Sequence, residues 1–232
     1  MIPLRDKIPS SSFPFINIIF IVLNSLIFLY EVSLGGELEH FIHEYGLIPA
    51  KVVFYSNTGF VDRFYPFFTS MFLHGGWFHL IGNMLFLYIF GDNVEDRMGH
   101  FKYLLFYLIC GLGAAFTQII TNVRSEIPMV GASGAISGVL GAYILLFPKS
   151  RIVTLVPIFF FLHIVEIPAA VFLLIWFIMQ FFSGVATLAA SRDTGGVAFW
   201  AHVGGFVVGL VLTRFFIKKG YYRTGWSGRY HN

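Results

Sequence analysis

The chain has 232 residues, of which 57% are hydrophobic and only 12% charged, with a net charge of +3. A soluble domain carries about 25% charged residues, so these proportions exclude an ordinary water-soluble domain. No basic run is interleaved with aromatics, which excludes a nucleic-acid surface; the small positive charge fits loops facing an anionic leaflet.

Residues 1–12 form a short N-terminal segment holding Arg5 and Lys7. The first apolar run, about 13–30, has no small-residue cleavage site before Glu31 and reads as a retained helix rather than a signal peptide. An outer loop of about 31–73 follows, rich enough in aromatics (Phe41, Phe54, Phe60, Phe64) to lie partly in the membrane interface. Further spans are expected at about 77–94, 101–121, 132–147, 168–190 and 198–217, against the roughly 20 mainly apolar residues that a bilayer crossing requires. The third contains Cys110, the single cysteine, which excludes an intrachain disulfide and reads as a packing residue. Between the fourth and fifth, residues 152–167 are apolar but interrupted by Pro157, His163 and Glu166. Their β-branched and aromatic content suits a short hairpin or an interfacial helix within an inner loop of about 148–167. Residues 218–232 form a basic tail. The expected fold class is thus an all-α membrane domain over 13–217 with six spans.

Lysine and arginine set the orientation. With the N-terminus inside, eleven of the fifteen lie on inner segments (Arg5, Lys7, Arg97, Lys102, Lys149, Arg151, Arg214, Lys218, Lys219, Arg223, Arg229). Four lie outside: Lys51, Arg63, Arg124 and Arg192. Both termini are therefore expected in the cytoplasm, with the chain multi-pass in a cell (inner) membrane. A seventh span at 152–167 would put the C-terminal cations on the wrong side.

Polar side chains inside spans are costly, and so mark candidate functional sites. The second span places His79 and Asn83 four residues apart on one face; the fourth opens on Ser133, with Ser137 a turn deeper; the sixth carries His202. Measured from the inner ends of their helices, Ser133 stands roughly 21 Å up, His202 roughly 22 Å and His79 roughly 18 Å, at 1.5 Å per residue. All three share one level in the outer part of a hydrocarbon core of about 30 Å. The fourth span is too short to cross, so the Pro128–Gly131 backbone must line a cavity or be buried in protein. Gly134, Gly138 and Gly141 on one helix, and Ala201, Gly205 and Gly209 on another, form small-residue faces for close approach. Packing through them would let His202 reach Ser133.

Singly, each residue has an ordinary explanation. An intramembrane Ser is usually back-bonded, and a His or Asn usually hydrogen-bonds a neighbouring helix. Their coincidence in depth points instead to a nucleophile, Ser133, with its base, His202. No Asp or Glu lies at that depth, so a dyad is expected. His79, Asn83 and the Ser133 amide would serve the developing oxyanion. No HExxH motif or carboxylate supports a metal, and residue 135 is Ala, which excludes the G-x-S-x-G elbow of soluble hydrolases.

With these residues in place, the sequence resembles the rhomboid intramembrane proteases from Phe67 to Leu212. Gly131-Ala132-Ser133-Gly134 is similar to the family's G-x-S-G, and Ala201-His202 with Gly205 to its A-H-x-x-G. His74, His79 and Asn83 match its H-x(4)-H-x(3)-N; Glu95, Arg97 and Gly99 match its E-x-R-x-G. Two positions depart. Tyr65-Pro66 stands where many members have Trp-Arg, and Ser137 where an aromatic often stacks on the catalytic His. The resemblance implies Ser133 as nucleophile, His202 as base, and His79 and Asn83 in the oxyanion hole. It also implies cleavage of single-span membrane-protein substrates within the lipid bilayer, with no cofactor or metal. The rival readings are a rhomboid-like pseudoprotease that binds clients uncut, and a transporter. Pseudoproteases typically lack the Ser or the His, and no internal repeat supports a transporter.

Overall fold

The computed structural model describes residues 1–56, 59–158, 161–189 and 197–218. Long apolar runs without interior proline fold as α1 (Phe15–Ser33), α6 (Trp77–Met98), α7 (His100–Thr121), α8 (Ser133–Leu146), α9 (Ala169–Ala189) and α10 (Phe199–Phe216). Four short helices fill the loop between α1 and α6: α2 (Leu38–Tyr45), α3 (Pro49–Phe54), α4 (Phe60–Phe64) and α5 (Pro66–Thr69). By length and composition α1, α7, α9 and α10 are able to cross a membrane. The chain is a multi-pass membrane protein. α6 is equally long, but its last two turns carry Asp92, Glu95, Asp96 and Arg97. At 14 residues α8 spans roughly 21 Å.

α8 is the axis of the bundle. Every residue from Gly134 to Tyr143 is buried, as befits a helix apolar on all sides. α10 meets it backbone to backbone. A methyl on Gly205 would fall 2.0 Å from the Gly134 carbonyl oxygen, and one on Gly209 2.1 Å from that of Gly138. A methyl on Gly138 would also strike Cys110 of α7, so the buried Cys110 thiol packs there. The two small-residue faces therefore lock α8, α10 and α7 together. Any larger side chain would separate them.

Glu95 fastens α1 to the turn between α6 and α7. Its fully buried carboxylate accepts the Ile16 and Asn17 amides at 3.0 and 2.8 Å, and pairs with His100 Nδ1 at 2.5 Å. These amides are orphan donors at a helix N-terminus, where a negative charge is stabilising. Gly99, at φ 83°, makes the sharp passage from α6 to α7 that a side chain would strain. Arg97 lies over the Phe147 ring at 5.2 Å, joining this corner to the end of α8.

The chain is not all-α. Strands β2 (Arg151–Ile158) and β3 (Phe161–Pro168) pair antiparallel, and β1 (Ile2–Asp6) pairs antiparallel with β2 to give the order β1-β2-β3. The β-branched run around Pro157 is thus extended. The sheet lies at the same end of the bundle as Glu95: Asn93 of α6 donates to Asp6 at 2.9 Å, and Tyr143 of α8 does so at 2.6 Å.

At the opposite end the α1–α6 loop supports the approach to α8. Leu47 and Met129 exchange two backbone hydrogen bonds at 3.0 and 2.8 Å, and the Gly131 amide donates to the Ser70 carbonyl at 2.8 Å. The non-helical backbone before Ser133 is therefore paired with protein, as such backbone must be at membrane depth. Tyr65 anchors the loop by donating to the Glu44 carbonyl at 2.9 Å. Arg192, Lys219, Arg223 and Arg229, with the basic tail beyond Lys218, lie outside the described residues.

Candidate active site

Ser133 is the first residue of α8. The chain reaches it through Gly131, whose φ of 129° is rarely open to residues with side chains. His202 sits one turn into α10, 7% exposed. Because α8 and α10 touch through their glycines, His202 Nε2 comes within 2.7 Å of Ser133 Oγ. This is hydrogen-bond reach for a nucleophile and its base. Ser137, one turn deeper, commits its hydroxyl to the helix backbone instead, donating to the Ser133 carbonyl at 2.6 Å.

His79 and Asn83 of α6 form the facing wall. The Gly75 amide donates to His79 Nδ1 at 3.3 Å, which leaves Nε2 carrying the proton. That nitrogen points at Gly131, so closely that a methyl there would lie 2.7 Å from Nε2 and 3.5 Å from Ser133 Oγ. Asn83 Nδ2 is 3.0 Å from His74 Nε2, which occupies one of its two amide hydrogens. The His74 backbone amide is held by Glu31 of α1, 3.2 Å from both carboxylate oxygens. Between α6, α8, α9 and α10 opens a cavity of about 660 Å³ that Ser133, His202, His79 and Asn83 all line. Behind Ser133 a second pocket of about 10 Å³ is walled by Gly131, Gly134, Ala135, Ala198 and Ala201. It has room for about one water or a small side chain.

A family comparison matches the Rhomboid domain to residues 61–219, more than half of the chain. The chain belongs to the rhomboid family. Among its relatives, Rhomboid-like protein 11, chloroplastic, of Arabidopsis thaliana is 35% identical over 123 residues, covering 53% of this chain and 42% of the relative. The rhomboid protease AarA of Providencia stuartii is 32% identical over 138 residues, covering 54% and 48%. Rhomboid protein 1, mitochondrial, of Saccharomyces cerevisiae is 29% identical over 156 residues, covering 65% and 41%. The chain therefore spans less than half the length of these relatives.

Two residues of this rhomboid site were missed by sequence reasoning. Gln180 of α9 places Oε1 2.7 Å from His202 Nδ1, and Trp176, one turn earlier, sets its ring 5.9 Å from the imidazole and tilted 33°. Trp176 thus supplies an aromatic neighbour that position 137 lacks. The available signal was Gln180 itself, a polar residue in the apolar run 169–189 on the same face as a Trp.

Proposed function

We propose that this chain is an intramembrane serine endopeptidase that cuts the transmembrane segments of other membrane proteins. Ser133 is the nucleophile and His202 the general base, in a six-span bundle with both termini in the cytoplasm of a cell inner membrane. The observation that carries the reading is the 2.7 Å pair between Ser133 Oγ and His202 Nε2, facing a cavity rather than packed shut.

The chemistry follows from that pair. His202 Nε2 takes the hydroxyl proton as Ser133 Oγ bonds to the scissile carbonyl carbon. The oxygen left negative is met by donors from His79 Nε2, the second Asn83 hydrogen and the Ser133 amide at the start of α8. Collapse breaks the C–N bond, and the proton on Nε2 passes to the leaving amine. Water then repeats the sequence on the acyl ester and frees Ser133. The family resemblance, with a named protease among the relatives, supports the same assignment.

The test uses the purified protein in liposomes with a panel of labelled single-span substrates, and a fluorophosphonate that labels activated serines. The wild type should cleave at least one substrate and take the label. Ser133→Ala and His202→Ala should each fall below about 10⁻³ of wild-type turnover with thermal midpoints unchanged, while Ser137→Ala stays active. A Ser133→Ala protein that still cuts refutes the assignment of the nucleophile. A wild type that binds these substrates yet neither cuts nor labels is a client-binding pseudoprotease.

A further inference from the structure

His202 is held from two sides. Its Nε2 faces Ser133 Oγ and its Nδ1 faces Gln180 Oε1, each at 2.7 Å. An amide oxygen only accepts, so Nδ1 carries the proton in this pair and Nε2 keeps its lone pair for the Ser133 hydroxyl. That is the tautomer a general base requires. Trp176 lies one helical turn from Gln180, so a single face of α9 fixes both the proton and the ring plane of His202.

We infer, on the protease reading above, that Gln180 is a positioning residue that selects the Nδ1–H tautomer of His202. In soluble triads a buried carboxylate does this. Inside hydrocarbon a second charge is costly, whereas a neutral amide supplies the same acceptor without one. The contact also gains strength when it is needed: once Nε2 takes the Ser133 proton, the Nδ1–H···O bond becomes charge-assisted. The unit is therefore Ser133, His202 and Gln180, drawn from three helices. α9 is the least buried of the four long apolar helices, and it also walls the cavity through Trp176. Alignment of the base thus depends on α9 being seated.

The experiment compares Gln180→Leu, which removes the acceptor at similar volume, with Gln180→Glu, which keeps a carbonyl acceptor. Full-length protein is reconstituted, and kcat and KM are measured on a substrate that the wild type cleaves. In parallel, ¹⁵N-histidine NMR reads the His202 tautomer, its signals identified by difference from His202→Ala. Gln180→Leu should lose about ten- to hundredfold in kcat with KM within about twofold. Its His202 should move from the Nδ1–H form to a mixture, and Gln180→Glu should recover most of both. Wild-type kcat and tautomer in Gln180→Leu overturn the inference. So does an equal loss in both variants with the tautomer unmoved, which marks plain packing. If the wild type neither cleaves nor takes the fluorophosphonate, the protease reading has failed; the tautomer measurement still decides whether Gln180 sets the proton on His202.

Discussion

Oxyanion stabilisation depends on which hydrogens remain uncommitted around Ser133. His79 offers Nε2–H because Nδ1 is engaged by the Gly75 amide, and Asn83 offers one hydrogen because His74 takes the other. On the proposed protease reading these two, with the Ser133 amide, make three donors for one oxyanion. Removing one such donor typically costs about 10²–10³ in kcat, so His79→Ala and Asn83→Ala should each lower turnover without abolishing it. Purified variants assayed on one substrate will show this as a fall in kcat; unchanged kcat in both would reduce these residues to structural hydrogen bonds. The four residues on which the proposed chemistry rests were legible in the sequence because each is polar in an apolar run, and helix rise puts three of them at one level. Gln180 meets the same criterion, but a search for a charged partner of His202 passes over a neutral amide. Glu31 was hidden differently. The expected first span stops at residue 30, one short of it, yet Glu31 is 1% exposed and holds the His74 backbone.

Helices and sheet differ in how far they could be read ahead. Helix starts were read closely, with α6 beginning at Trp77 as expected, but its end was not: α6 runs on past 94 to Met98 and stops at Gly99. The close contact of α8 with α10 came from small residues at four-residue spacing. The sheet had no such signal on its first strand, since Ile2–Asp6 is short, contains Pro3 and pairs with residues 152–155 across most of the chain. Its attachment carries a pH dependence. Burial, reinforced by Asp92 and opposed by the Tyr143 hydrogen bond, pushes the Asp6 carboxyl up from 3.8 to about 6. The folded state therefore binds this proton more tightly than the unfolded chain does, and stability falls as pH rises from about 4 through 6. Asp6→Asn removes the titration yet keeps an oxygen for the Tyr143 and Asn93 donors, both of which meet Oδ2. In detergent, the thermal midpoint of the wild type relative to Asp6→Asn should drop between pH 4.5 and 7. A constant difference across that window would remove Asp6 as the source.

At the scale of the molecule, the bundle has one end with the sheet, Glu95 and Lys218, and another with the α1–α6 loop and the approach to Ser133. Arg5, Lys7, Arg97, Lys102, Lys149, Arg151, Arg214 and Lys218 belong to the first; only Lys51, Arg63 and Arg124 among the described residues belong to the second. On the proposed topology, which follows the positive-inside rule, the first end would face the cytoplasm, so reporters fused after Lys149, Ile167 and Arg229 should all read as cytoplasmic. An outside signal after Ile167 would break the six-span reading. If the chain is the proposed protease, the same polarity sets what a substrate must do. Ser133 then lies roughly a third of the way into a core of about 30 Å, below the outer surface. A client crosses that level as a helix, whose peptide carbonyls are hydrogen-bonded and shielded by side chains. Attack by Ser133 needs an extended segment, and Gly costs a helix about 1 kcal/mol per residue relative to Ala. Small side chains at the cut also suit the pocket walled by Gly131, Gly134 and Ala201, where a Leu would not fit the space of about 10 Å³. Paired single-span substrates that differ only in a Leu-rich or Gly-containing outer segment, with the same small residue at the cut, isolate the unwinding step. The Gly-containing member should be cleaved several-fold faster, on the order of the factor that 1 kcal/mol allows. Equal rates would show that helix opening is not what limits cleavage, and would leave the chemistry of Ser133 and His202 standing.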